Sequence, residues 1–191
     1  MSVNWDAGRW THEPVAARPD GPDLLVTAAE GSDAWRTTSY GFVHDSEHAL
    51  ISPLPADHAV EVDFVAEFSG QFDQAGLFLQ ADDEHWIKAG VEFVDGTPQV
   101  GAVVTWPNSD WSVAPTPDWL GRTVTVRASR SGDAVTIRAG VGGQLGLVRV
   151  IPVPADVALA AGPMICAPTR AGLTIRFTGW RVTPADESLH P

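Results

Sequence analysis

Four side chains near the middle of this 191-residue chain have the types and spacing to hold a polar ligand: Trp86, Lys88, Glu92 and Gln99. Lys88 is the only lysine in the chain. An ammonium, a carboxylate and an amide together supply the paired donors and acceptors that hydroxyl groups need. An indole adds a flat apolar face on which a sugar ring can stack. Lys88 and Glu92 are four residues apart, about 13 Å along a strand. They cannot pair directly, so each needs a partner on a neighbouring strand or a ligand between them. Arg36 and Tyr40, and Asp110 with Trp111 from a Trp- and Pro-rich stretch, are the candidate partners.

The element that must position these groups is a hairpin. Asp95-Gly96 is a strong two-residue turn signal, because glycine takes positive φ freely and aspartate better than most residues. A bend there opposes residues whose numbers sum to 191. Val91 then faces Val100, Ala89 faces Ala102 and Ile87 faces Val104 on an apolar side. Glu92 faces Gln99, Gly90 faces Gly101, Lys88 faces Val103 and Trp86 faces Thr105 on the other. The stretch from Asp73 to Asp110 reads as two successive hairpins followed by a loop, WPNSDWSVAPTPDWLG.

Elsewhere the pattern is short strands separated by Gly, Pro and Asp turns. Leu24 to Ala28, Trp35 to Val43 and Ala59 to Phe68 read as strands. So do Val124 to Ala128, Val135 to Ala139, Leu145 to Val153, Leu159 to Ala167 and Leu173 to Val182. Along Ala59 to Phe68, Val62, Phe64, Ala66 and Phe68 share a buried face and Glu61, Asp63 and Glu67 the other. Trp5 and Trp10 tie the first 22 residues onto a sheet, and the tail from Pro184 is expected to fray. No helical period is sustained. The pattern predicts an all-β, two-sheet jelly-roll sandwich, with residues 1–191 forming one domain.

Composition narrows the function classes. A net charge of −12 argues against binding to nucleic acid or anionic membranes, which begins with phosphate neutralisation. The single cysteine, Cys166, sits in an apolar run and reads as a buried inert thiol. No secretory leader or bilayer-length apolar run is evident, so a cytoplasmic monomer or homodimer is the default expectation. His44 and His48 are spaced for a metal only on a helix, which the flanking prolines disfavour. Asp82-Asp83-Glu84-His85 reads as a solvated turn rather than a calcium loop. Neither a metal nor another cofactor is expected.

Several motifs carry a family resemblance. Trp10-Thr-His12-Glu13-Pro14 is followed by Trp35-Arg36-Thr-Thr38-Ser-Tyr40-Gly41-Phe42, then Gln74-Ala75-Gly76-Leu77, Trp86-Ile-Lys88-Ala-Gly90-Val-Glu92 and Ser109-Asp110-Trp111-Ser112. In this order, over almost the whole chain, they resemble the regulation-of-enolase protein family of the concanavalin A-like lectin/glucanase superfamily. His12 stands where the resemblance leads one to expect an amide. The resemblance implies a jelly roll with one concave and one convex sheet, and it adds Gln74 to the ligand-binding candidates. Laminarinase-type hydrolases on this fold carry a third carboxylate one residue closer than Glu67 lies to Asp63, so Glu61 and Asp63 read as a solvated convex face. Asp110 reads best as bonding its own backbone in a tight turn.

The leading functional expectation is a non-catalytic binding domain for a carbohydrate or related polar ligand on the concave sheet. The alternatives are a glycoside hydrolase or lyase using Glu92 with Asp110 or Glu61/Asp63, and a regulatory protein-interaction module marked by an exposed apolar patch.

Overall fold

The computed structural model describes residues 1–190. Among them, two seven-stranded sheets pack face to face. The first, here the site sheet, runs β1 (Arg9–Trp10), β6 (His48–Leu54), β15 (Leu159–Cys166), β8 (Gln74–Gln80), β9 (Trp86–Val94), β10 (Thr97–Thr105), β11 (Ser109–Pro115). The second runs β14 (Gln144–Pro152), β13 (Ala134–Val141), β12 (Thr123–Ser131), β7 (His58–Val65), β16 (Thr174–Pro184), β3 (Asp23–Thr27), β2 (Ala16–Asp20). Neighbouring strands are antiparallel throughout both sheets. This is the all-β sandwich that the alternating pattern predicts.

One core fills the space between the sheets. Alternation along β7 sends Val60, Val62 and Phe64 inward, and Ala75, Leu77 and Leu79 of β8 meet them from the other layer. Burying these side chains contributes roughly 1.5–3 kcal/mol each for the larger ones. Glu61 and Asp63 point outward as expected, but they are not simply solvated. Arg181 of β16 bonds Glu61 (2.9 Å from Nε) and Asp63 (2.6 Å), and Thr125 of β12 donates to Asp63 at 2.7 Å. They serve as a cross-strand ionic seam on the outer face.

The hairpin at Asp95-Gly96 holds. Both residues have positive φ, 51° and 78°, and every pair sums to 191, from Thr97 opposite Val94 to Thr105 opposite Trp86.

Three expectations change. The Trp35 to Val43 run is not one strand. β4 (Ala34–Arg36) and β5 (Val43–Asp45) form a separate hairpin, and positive φ at Thr37, Ser39 and Gly41 turns the chain between them. Within the stretch read as a Trp- and Pro-rich loop, Ser109–Pro115 is a strand, β11, which extends the site sheet by a third hairpin. The tail beyond Pro184 is tied down as far as Leu189. Asp186 accepts from Arg127 and Arg138, and Arg138 also donates to the Leu189 carbonyl. The strand β6 escaped the sequence reading because Pro53 and Pro55 mask its end; it pairs with β1 and β15. Among the described residues no helix is long and apolar enough to cross a membrane.

Candidate functional site

The hairpin register decides which groups can meet. Ile87, Ala89 and Val91 enter the interlayer core, so Lys88, Gly90 and Glu92 must point away from it, onto the outer face of the site sheet. Gly76, Gly90 and Gly101 stand side by side on β8, β9 and β10. A Cβ at Gly90 would come 2.2 Å from the Ala75 carbonyl oxygen, and one at Gly101 would come 2.0 Å from that of Ser112. Only glycine fits there, and the row leaves a shallow recess of about 20 Å³ between Lys88 and Glu92.

The β4–β5 hairpin and the turn before it roof this face. Trp35 packs with Phe78, Trp86 and Val103 in a second, smaller apolar cluster on the site sheet. That anchor brings Asp33 over Lys88. Lys88 Nζ donates to Asp33 Oδ1 at 2.7 Å, and the lysine is only 6% exposed. The same oxygen accepts from the Ala34 amide at 2.8 Å and from Gln74 Nε2 at 3.3 Å. The Asp33 amide in turn donates to Ser46 Oγ at 3.1 Å. Asp33 is therefore fixed from three sides.

Between roof and sheet lies a cavity of about 350 Å³. Its walls are aromatic: Trp35, Tyr40, Phe42, Phe72 and Trp111, with His44 at one side. Its polar groups are Asp33, Lys88 and Glu92. Tyr40 stacks on Phe42 with ring centroids 5.3 Å apart and meets Trp35 edge-on at 5.6 Å. The volume is that of a small-molecule pocket, apolar in lining with a few converging polar groups.

The electrostatics are uneven. Burial works to lower the Lys88 pKa, but the charges of Asp33 and Glu92 outweigh it, so the ammonium is held above its ordinary value. Glu92 behaves oppositely. Burial pushes its carboxyl up to about 7; Lys88 pulls it back, Asp33 pushes it further up, and the indole N–H of Trp111 lowers it. At neutral pH Glu92 is poised between donor and acceptor, beside a fixed positive charge. Cys166, at the end of β15, is wholly buried in the small cluster under the roof, and burial raises its thiol well above the ordinary range, as expected of an inert cysteine.

Of the residues singled out in the sequence, Tyr40, Lys88, Glu92 and Trp111 line the cavity, and Gln74 stands behind it holding Asp33. Four do not reach it. Trp86 is buried in the small cluster against Phe78, with no free face for a ligand. Arg36 turns away to Glu84 (2.6 Å) and the Pro107 carbonyl, because the β4–β5 turn breaks the alternation assumed for it. Gln99 lies one strand pair beyond Glu92 and outside the cavity, where its amide makes a long contact to the Val94 carbonyl. Asp110 is exposed and paired with Arg149 at 2.6 Å rather than with its own turn. Neither Asp110 nor the Glu61/Asp63 pair can therefore act with Glu92. The sequence reading missed Asp33. Its signal is a carboxylate two residues before the Trp35 motif, among the turn-forming residues Glu30-Gly31-Ser32-Asp33. Asp82 does cap its own turn, accepting from the Glu84 amide and lying 2.7 Å from His85.

Comparison with known proteins agrees with this architecture. Regulation of enolase protein 1 of Saccharomyces cerevisiae is 33% identical over 192 residues, covering 96% of this chain and 93% of the yeast protein. A crystal structure of a functionally unknown protein from Saccharomyces cerevisiae superposes with a TM-score of 0.89 at 31% identity, covering 95% of this chain and 98% of that one. A xylan β-1,4-xylosidase from Bacillus halodurans shares the fold at a TM-score of 0.70 and 15% identity, over 94% of this chain but 38% of the enzyme. The model of the family described as "Protein of unknown function (DUF1349)" matches residues 10–185, and the chain belongs to that family.

Proposed function

We propose that the protein binds a small polar ligand, a mono- or disaccharide or a close relative, in the cavity between the β4–β5 hairpin and the site sheet. One observation carries this reading. An aromatic-walled space of about 350 Å³ has Lys88 and a titrating carboxylate at its floor, with Asp33 of the roof paired to the lysine. Aromatic walls accept the apolar faces of a sugar ring, and the floor groups accept and donate to its hydroxyls. The recess beside Gly90 has room for one hydroxyl or one water. The name of the yeast relative refers to regulation of enolase, and a domain that senses a metabolite fits a regulatory output.

A glycan array followed by calorimetric titration of the hits tests the proposal. Trp111 and Tyr40 are the variants of choice, because both are substantially exposed and neither lies in the buried core. Trp111→Ala and Tyr40→Ala are expected to weaken binding about tenfold each, as the loss of a stacked aromatic does. Saturable binding that neither change touches would place the ligand elsewhere.

A second reading rests on Glu92 itself. A carboxyl with a pKa of about 7 in a cleft is suited to general acid–base work, with Asp33 and Lys88 as fixed charges around it. That reading predicts turnover of a bound saccharide which Glu92→Gln abolishes while leaving affinity within a few-fold.

A further inference from the structure

We propose that His12, Asp45 and Glu47 form a binding site for a divalent first-row transition-metal cation. They come from two segments: His12 follows β1, while Asp45 and Glu47 stand two residues apart where β5 runs into β6. One ring nitrogen and one oxygen from each carboxylate lie within 4.8 Å of one another. Donors about 2.0–2.2 Å from a shared ion stand no more than about 4.4 Å apart, so closure by a few tenths of an ångström completes the set.

Glu47 is the independent sign. Its side chain is 2% exposed, and its Oε2 is buried with no hydrogen-bond partner. A buried carboxylate oxygen left without a donor is costly, and cores rarely carry one without a reason. Its other oxygen lies 3.7 Å from His12 Nδ1, and that nitrogen also meets the Glu47 carbonyl oxygen at 3.0 Å, a contact that leaves Nε2 as the ring nitrogen open to an ion. A cation taken by both oxygens of the Glu47 carboxylate gives the orphaned Oε2 its partner.

The surroundings suit a site that fills from solvent. His12 is 41% exposed at its side chain and Asp45 is exposed, so an ion has an entry path and water can complete its coordination. The segments are held together without the ion. The Thr11 amide donates to the Ala49 carbonyl at 2.9 Å, and the Ala49 amide donates to Thr11 Oγ1 at 3.1 Å. His48, although adjacent, is not a ligand. Its two nitrogens are engaged with the Ala29 amide and the His12 carbonyl, each at 3.0 Å. One imidazole and two carboxylates suit zinc, manganese or iron(II) better than calcium or magnesium, which prefer all-oxygen sets.

Calorimetric titration of the full chain with ZnCl₂ and MnCl₂, after chelator treatment, tests the site, with CaCl₂ as the comparison ion. One ion per chain is expected, with affinity reduced at least about tenfold in His12→Ala, Asp45→Asn and Glu47→Gln. Asp45 is exposed, so its variant keeps the test open if Glu47→Gln fails to fold. His85→Ala is the control, since His85 and Asp82 form another histidine–carboxylate pair at the surface. Anomalous scattering at the metal edge is expected between His12 and Glu47. The proposal is overturned by the absence of saturable uptake, by affinity unchanged in His12→Ala and Asp45→Asn, or by equal loss in His85→Ala.

Discussion

Buried Lys88 and half-buried Asp33 form a pair whose halves depend on each other. Removing the ammonium leaves Asp33 and Glu92 facing one another across an enclosed space. Lys88→Met is expected to cost about 3–5 kcal/mol in urea unfolding, and to raise the Glu92 pKa further, because Lys88 is what pulls it down. Glu92 also makes stability depend on pH. Its folded pKa of about 7 lies above the ordinary carboxyl value of 4.5, so the folded state holds the proton more tightly. The resulting stabilisation is fully present below pH 4.5 and is lost as pH rises through 7. A shift of that size corresponds to roughly 3 kcal/mol. Unfolding curves at pH 5 and pH 8 should differ in that direction, and Glu92→Gln should shrink the difference without removing it. Glu47, likewise raised to about 7 chiefly by burial, supplies a second share of the same sign.

At the scale of elements, the site depends on strands that approach without side chains between them. Gly90→Ala is expected to destabilise by about 2–3 kcal/mol and to close the recess between Lys88 and Glu92, because its Cβ would strike the backbone of β8. Gly146→Ala is the matched control. It lies on β14, where the nearest atom to a new Cβ is 3.9 Å away, and it should be neutral within about 0.5 kcal/mol. Legibility also divided at this scale. The β9–β10 hairpin was readable because a two-residue turn fixes register, and register fixes both faces together. The partner of Lys88 was not. Asp33 comes from an irregular segment 55 residues earlier in sequence, and its position depends on Trp35 finding a buried seat against Trp86. Arg36 was misplaced for a related reason. Positive φ at Thr37 and Ser39, residues that seldom adopt it, turns a stretch rich in strand-forming side chains into a hairpin loop. His12 reaches the Asp45 and Glu47 carboxylates only through the pairing of β1 with β6, which no local pattern signals.

At the scale of the whole molecule, the second sheet is laced on its outer face by arginines. Arg181 joins β16 to β7, Arg127 joins β12 to the tail, and Arg138 joins β13 to the same Asp186. The Asp186 amide also donates to Ser129 Oγ at 2.8 Å. Asp186→Ala is expected to cost about 1.5–3 kcal/mol, the range for charge-assisted hydrogen bonds. Its effect should be less than additive with Arg138→Ala in a double-mutant cycle, since one acid serves both guanidinium groups. The sandwich, by contrast, was legible from alternation alone, as β7 shows: Val62 and Phe64 are wholly buried, while Glu61 and Asp63 reach the outer seam.

The burial of Lys88 has a practical corollary. All other basic side chains are arginines or histidines, so the folded chain shows amine-reactive reagents almost no lysine nitrogen. Acylation at that position would then act as a clock for the lifting of the β4–β5 hairpin, and a molecule lodged beneath the hairpin would slow it.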